Sequence, residues 1–259
     1  MIYNAKPMRA AFLRPYNYAK KLRINGALNL GDDMRFLWKR RLLHLFFPTR
    51  CPVCGALIGA MERFCAECTA KLSVYSGSFN IEGAESFTAA FDYDENVKPA
   101  IILLKNGTDG NAAYALGEAL AERLKADNIA DKADVIIPAP MHKRDIRRRG
   151  FNQSVLIARE AGRVLGLPVD TKSVVKSRHT HSQKELSRVS RALNLKSAFT
   201  SSADIKGKNV LLIDDICTTG STLREITSAL KKAGAAKVYC ACCCKTRSRK
   251  YESDVKMKQ

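Results

Sequence analysis

Carboxylates are scarce in this chain. Its 259 residues hold Asp+Glu 25 against Lys+Arg 44, a formal net charge of +19 and a pI near 9.7. That imbalance favours polyanionic partners such as nucleic acid, phosphorylated metabolites or an anionic membrane surface, although a well-solvated basic surface gives the same count. Long apolar runs are also missing, and none reaches the ~18–20 residues needed to span a bilayer. Arg, Lys and Asn interrupt the short apolar stretches at the N-terminus, which excludes a secretory signal layout. A cytoplasmic location is therefore expected. The 9 cysteines should then be reduced, metal-bound or buried, not paired as disulfides. Aromatics make up 7%, so platforms for base stacking are few, with Phe151 one candidate. There is no G-x-x-x-x-G-K-S/T loop, and no G-x-G-x-x-G follows a strand, which sets aside two common nucleotide-binding loops.

What is present begins with four cysteines. "CPVCGALIGAMERFCAEC" places Cys51, Cys54, Cys65 and Cys68 as two C-x2-C pairs, 10 residues apart. Each pair can bend around one tetrahedral ion, with Gly55 and Gly59 permitting tight turns. Four thiolates with no position left for water point to structural zinc. A module this small has little core, so the metal should supply much of its folding energy. Ahead of it, "MRFLWKRRLLHLFFPTR" reads as a basic amphipathic helix stopped by Pro48. Residues 1–33 show no clear period, and Met34 is read as the translation start.

The other five cysteines read differently. Cys240, Cys242, Cys243 and Cys244 lie in "KVYCACCCKT", a buried strand filled with small residues, and Cys217 lies in a loop after another apolar run. Two strand-to-helix junctions concentrate the polar chemistry. After the apolar strand "ADVIIPAP" comes "MHKRDIRRRGFNQ", where Lys143, Arg144, Arg147, Arg148 and Arg149 crowd what reads as one loop, relieved by Asp145. Gly150 allows a turn, and Asn152 can cap the helix that follows. Guanidiniums at the carboxyl end of a strand suit a multiply charged phosphate. The second junction is "VLLIDDICTTGST". A parallel strand covered on both faces ends in Asp214 and Asp215, then a hydroxyl-rich turn opens a helix that stops at Gly234. Adjacent carboxylates suit a vicinal diol, or Mg²⁺ held directly or through water. The turn can aim amides and hydroxyls at one phosphate, helped by the helix dipole. Diol plus monophosphate describes a ribose 5-phosphate. Between the junctions, the polar segment holding Arg178, His179, His181, Lys184, Arg188 and Arg191 is long enough to be expected mobile and functional.

"VLLIDDICTTGST" resembles the phosphoribosyl-pyrophosphate (PRPP) signature of type I phosphoribosyltransferases. Together with "CPVC…CAEC", "IIPAPMHKRDIRRRGFNQ" and "SQKELSRVSRALNLKSAF", it makes residues 36–246 resemble the ComF (competence protein F) family. The resemblance implies an α/β fold: a type I phosphoribosyltransferase-like parallel sheet flanked by helices, with a small N-terminal zinc-knuckle module. It implies that Asp214 and Asp215 face ribose hydroxyls and Mg²⁺, and that Thr218, Thr219, Gly220, Ser221 and Thr222 form the 5-phosphate loop. It places Arg148, Arg149, Gly150, Asn152 and Gln153 on the pyrophosphate side. Pro138-Ala139-Pro140 departs from the family's usual Pro-Val-Pro. The Asp-Asp order departs from the Glu-first order of many phosphoribosyltransferases.

The organisation expected is a basic extension over 1–35, disordered or a start-site artefact; a helix and four-cysteine zinc module over 36–80; a phosphoribosyltransferase-like domain over 81–246; and a basic tail over 247–259. The leading functional expectation is natural competence and DNA uptake, with single-stranded DNA, a PRPP-like sugar phosphate and a competence helicase as partners. The alternative is an active Mg-dependent phosphoribosyltransferase. No acceptor and no catalytic acid or base can be named for it, because no nucleobase-binding segment or glutaminase domain is recognisable. A third reading keeps the pocket only as a regulatory site on an interaction protein.

Overall fold

The computed structural model describes residues 30–107, 110–177 and 198–247. The segment read as mobile, with Arg178 to Arg191, lies outside the described residues, as do 1–29 and the tail from 248.

Helix α1 (Leu30–Phe46) leads into the four-cysteine turns and the short α2 (Ala66–Lys71). The central sheet has four strands, β1 (Ser86–Asp92), β2 (Val135–Pro138), β5 (Asn209–Cys217) and β6 (Lys237–Lys245), in the order β1-β6-β5-β2. All its pairings are parallel. Between β1 and β2 come α3 (Lys98–Asn106) and α4 (Gly110–Ala126), and between β2 and β5 come α5 (Lys143–Arg149) and α6 (Gln153–Leu165). A separate antiparallel ribbon joins β3 (Val174–Lys176) to β4 (Phe199–Ser201), and α7 (Ser221–Lys232) links β5 to β6.

The strands are apolar on both faces because both faces are covered. Leu211, Ile213, Ala241 and Cys243 meet α4 and α6 on one side. Val210, Leu212, Cys240 and Cys242 meet α7 and the ribbon on the other. Val210 through Ile213 are wholly buried, and each such side chain contributes about 1.5–3 kcal/mol of transfer free energy. The four cysteines of β6 are equally buried, as expected of core residues.

The connections fix where a ligand can sit. From β2 the chain crosses through α6 and returns outside β2, where Ile136 donates to the Pro168 carbonyl and accepts from Asp170 N, both at 2.9 Å. From β5 it crosses through α7, on the opposite face, to β6. Adjacent strands that send their helices to opposite faces leave a crevice between their carboxyl ends. Both junctions singled out in the sequence open into that crevice.

One expectation changes. The arginine-rich segment after β2 is a helix, not a loop. Its residues are good helix formers, the His142 imidazole caps it by accepting from Arg144 N, and Gly150 ends it in the left-handed region at φ 88°.

Candidate functional site

Asp214 and Asp215 stand just past the last β2–β5 pair, Pro138 with Ile213. Strand β5 stays paired with β6 through Cys217, which is therefore strand and not the loop residue expected. Asp214 Oδ1 accepts from the Ser154 hydroxyl at 3.0 Å and from the Asp215 amide at 2.9 Å. Asp215 Oδ1 accepts from the Ile216 amide at 2.8 Å, and its other oxygen lies 3.5 Å from Lys105 Nζ. Burial, then the charge of Asp215, raises the Asp214 carboxyl from 3.8 to about 7. Negative charge is crowded here, and a cation or a pair of sugar hydroxyls would relieve it.

The turn after β5 is held from below. Gly220 is left-handed at φ 74°, and a Cβ there would lie 2.6 Å from Ile81 Cδ1 and 2.8 Å from Phe79 Cε1. Only glycine lets the turn sit that close to the strap leading into β1. Ser221 and Thr222 start α7. The Thr219 and Ser221 hydroxyls are 2.7 Å apart, and Thr218 is exposed. Beneath the turn is Lys245, the last residue of β6, 6% exposed. Its ammonium donates to the carbonyls of Thr218 (2.9 Å) and Thr246 (2.8 Å) and lies 4.2 Å from the Phe79 ring centroid. No carboxylate pairs with it among the described residues. Cys217 is buried in the same floor, where a hydrogen bond with Cys242 lowers its thiol.

The residues placed on the pyrophosphate side divide. Arg148, Arg149 and Gly150 are exposed at the end of α5, with Arg148 3.5 Å from Asp145. Asn152 caps α6: its Oδ1 accepts from Ser154 N at 3.0 Å while its Nδ2 donates to the Ala139 carbonyl at 2.9 Å. Both its polar atoms are thus spent on bracing the turn, and Ser154 carries that brace across to Asp214. Gln153 is 2% exposed, and its Nε2 has no hydrogen-bond partner among the described residues. Phe151 packs where a Cβ on Gly107 would lie, 2.3 Å from its Cε1, so it wedges against the end of α3. It is built into the structure more than a free stacking platform would be.

Sequence reasoning missed Lys105, Ser154, Lys176 and Lys245. Lys176 ends β3; burial lowers its ammonium, and the charges of Asp145 and Asp214 partly counter that effect. Lys245 had a usable signal, being a lone cation at the carboxyl edge of an apolar strand. Lys105 and Lys176 had none, since each sits in an ordinary helix or strand ending.

The second candidate centre is the cysteine cluster. The Sγ atoms of Cys51, Cys54, Cys65 and Cys68 all lie within 4.8 Å of one another, and Cys54 and Cys65 are 3.7 Å apart. A tetrahedron of ~2.3 Å Zn–S bonds has edges of about 3.8 Å, so the cluster fits structural zinc. Burial pushes the Cys68 thiol far up, while the Ala56 amide lowers Cys54. The module is fastened to the sheet domain by Phe64 edge-on to Phe91, by Arg63 Nη1 to Glu122 at 2.6 Å, and by Tyr114 OH to the Met61 carbonyl.

A parallel sheet with paired aspartates and a hydroxyl-rich turn at its switch point, preceded by a four-cysteine module, defines the class: a phosphoribosyltransferase-type domain carrying a zinc ribbon. The sequence accordingly matches the phosphoribosyl transferase domain over residues 108–259, more than half of the chain, and the double zinc ribbon domain over residues 42–79. The DNA utilization protein YhgH of Escherichia coli (strain K12) is 32% identical over 204 residues, 76% of this chain and 85% of that protein. Competence protein F of Haemophilus influenzae (strain ATCC 51907 / DSM 11121 / KW20 / Rd) is 28% identical over 218 residues, 80% of this chain and 94% of that protein. Among solved structures, a purine phosphoribosyltransferase from Pyrococcus horikoshii Ot3 matches at 25% identity and a TM-score of 0.33, over 50% of this chain and 71% of that one. The chain belongs to the competence protein F family of phosphoribosyl transferase domain proteins. Among the described residues no helix is long and apolar enough to cross a membrane.

Proposed function

We propose that the crevice binds PRPP, or a related ribose 5-phosphate, together with Mg²⁺, and that the protein serves natural competence by handling incoming single-stranded DNA in the cytoplasm beside a helicase. The observation that carries the pocket is the placement of Asp214 and Asp215 in the last residues of β5, beyond its pairing with β2 and two residues before the turn at the N-terminus of α7. In this reading the carboxylates take the ribose hydroxyls and a cation that keeps several of its waters. The turn from Thr218 to Thr222 takes the 5-phosphate. The unpartnered Gln153 amide and the α5 arginines supply donors toward the pyrophosphate. The DNA role rests on the names of the relatives and on the exposed cations of α5, Lys143, Arg144, Arg147, Arg148 and Arg149.

Titration calorimetry with PRPP and Mg²⁺ tests the pocket. Asp214→Asn with Asp215→Asn should weaken binding at least ~100-fold, in line with losing two charge-assisted contacts. Unchanged affinity would discard the assignment. Single-strand binding should fall about 100-fold between 50 and 200 mM salt if roughly five phosphates are contacted, and a flat salt series would remove the DNA role.

A second reading, a working transferase with an unnamed acceptor, is favoured by Lys105 beside Asp215, where its ammonium would offset charge building on a departing pyrophosphate. Pyrophosphate release in the presence of an acceptor separates a transferase from a protein that only holds its ligand.

A further inference from the structure

The last turn of α3 meets the candidate site at two points. Lys105 Nζ lies 3.5 Å from Asp215 Oδ2, the oxygen left over once Oδ1 has accepted from the Ile216 amide. Two residues on, Gly107 ends the helix in the left-handed region at φ 69°, and its amide donates to the Leu103 carbonyl at 3.1 Å. A Cβ at Gly107 would lie 2.3 Å from Phe151 Cε1, so the helix end is seated against the residue between Gly150 and Asn152. The same segment reaches the aspartates by another route, through the Ser154 hydroxyl on Asp214. Packing therefore fixes the α3 backbone beside the site, while the Lys105 side chain, 38% exposed, has room to turn. An ion pair this long and this open adds little to stability. What it does is cover the one Asp215 oxygen that a metal or a sugar hydroxyl would need.

We infer that Lys105 selects the ligand of this site: its ammonium serves as the cation of Asp215 in the free protein, yields that oxygen to an incoming metal-bound sugar, and then takes an anion that the sugar carries at C1. The inference rests on the reading that the crevice takes a ribose 5-phosphate with Mg²⁺, and it deepens that reading. One ammonium beside two carboxylates weakens their pull on a bare divalent ion. Once a metal reaches Asp215, the ammonium is left beside a like charge and needs an anion elsewhere. The 5-phosphate does not supply it, being assigned to the turn from Thr218 to Thr222. The end of α3 abuts Phe151 instead, inside the segment assigned to the pyrophosphate. Lysine suits the exchange, since a point charge on a flexible four-carbon stem turns without breaking a bidentate pair. The ligand class narrows accordingly, from any ribose 5-phosphate to one with a charged phosphate group at C1.

Lys105→Gln in the full-length protein tests this. Electron paramagnetic resonance counts free Mn²⁺, a paramagnetic stand-in for Mg²⁺, with no sugar present. The variant should bind Mn²⁺ at least ~5-fold more tightly than the parent. Calorimetry at saturating Mg²⁺ should show PRPP bound about 10-fold or more weakly. Ribose 5-phosphate should stay within about threefold of the parent. Opposite shifts for metal and PRPP are not what a packing defect produces, since damage to the site would weaken both. Lys105→Arg keeps the charge and should return Mn²⁺ affinity to within about threefold of the parent. Unchanged Mn²⁺ affinity in Lys105→Gln overturns the counter-ion role, and equal losses for PRPP and ribose 5-phosphate overturn the selection. If the parent binds no PRPP, or Asp215→Asn leaves PRPP binding unaltered, the underlying reading fails and the inference falls with it. If the aspartates prove necessary and Lys105→Gln binds PRPP as the parent does, the role of Lys105 alone is overturned.

Discussion

Asp214 is held in a position that costs stability near neutral pH. Its carboxyl rises from 3.8 to about 7 through burial and the Asp215 charge, so the folded protein keeps a proton that the unfolded chain releases across that interval. The stability it contributes is therefore complete below about pH 4 and is lost as pH rises through about 7. In protein free of ligand and metal, Asp214→Asn should melt about 3–6 °C above the parent at pH 8, with the gap narrowing toward pH 5. Thermal melts at the two pH values read this out, and an unchanged gap would show that the carboxyl is not desolvated. Lys245 carries the opposite charge beneath the turn from Thr218 to Thr222. Lys245→Met should lower PRPP affinity about 10–100-fold, because the Thr218 carbonyl loses a charged donor, whereas Lys245→Arg should stay within about threefold. If both variants bind like the parent, the ammonium has no part in shaping the turn.

The turn before α7 and the turn after α5 show how two left-handed glycines differ in consequence. Gly220 and Gly150 have φ of 74° and 88°, but a Cβ at Gly220 meets Ile81 and Phe79 whereas one at Gly150 meets nothing within 4 Å. Gly150→Ala should therefore cost only the backbone term, about 1–2 kcal/mol. Gly220→Ala should cost about 2–4 kcal/mol, since the strap must also shift, and it should displace the turn before α7. Urea unfolding of the pair isolates the packing contribution, and equal losses would contradict the close approach. The strap itself is tied to the sheet edge, where Tyr75 N reaches the Ala90 carbonyl at 3.2 Å and Asp92 N the Ser73 carbonyl at 2.9 Å. The chain between zinc module and sheet is thus also the floor of the turn at Gly220.

Across the whole molecule, the zinc module and the sheet domain share one packed boundary. Val53 and Phe64 touch both the cysteine cluster and the main core. With so few buried apolar residues of its own, the module should depend on its metal. One zinc per chain is expected by elemental analysis. Cys68→Ser should lose it and drop the melting temperature by about 5 °C or more. PRPP binding should change only a few-fold, because the strap keeps its own contacts with the sheet. Retained zinc in that variant would show that Cys68 is not a ligand.

Much of this protein was legible without coordinates, for a local reason. Metal spacing, an apolar run ending in Asp214-Asp215, and a capped helix after Asn152 each depend on residues a few positions apart. Short-range geometry and secondary-structure period determine such features. The cysteine strand was readable in the same way, since a run of small residues buried on both faces leaves no polar alternation. What the tertiary structure decided is everything that depends on distant segments meeting. The arginine run became a helix because His142 and Gly150 close both its ends. Lys105 comes within 3.5 Å of Asp215 from a separate helix, although nothing near it in sequence marks it, and Lys245 braces the turn from below through the Thr218 carbonyl. The outward mounting of α1, whose Trp38, Leu42, Leu43 and Leu45 are each more than half exposed, belongs to the same group. Its apolar period is visible in the chain, but which side faces the protein was set by Tyr114 and Asn111, more than 70 positions beyond Arg40, which offered the helix an aromatic ring and an amide to bind in place of a greasy surface.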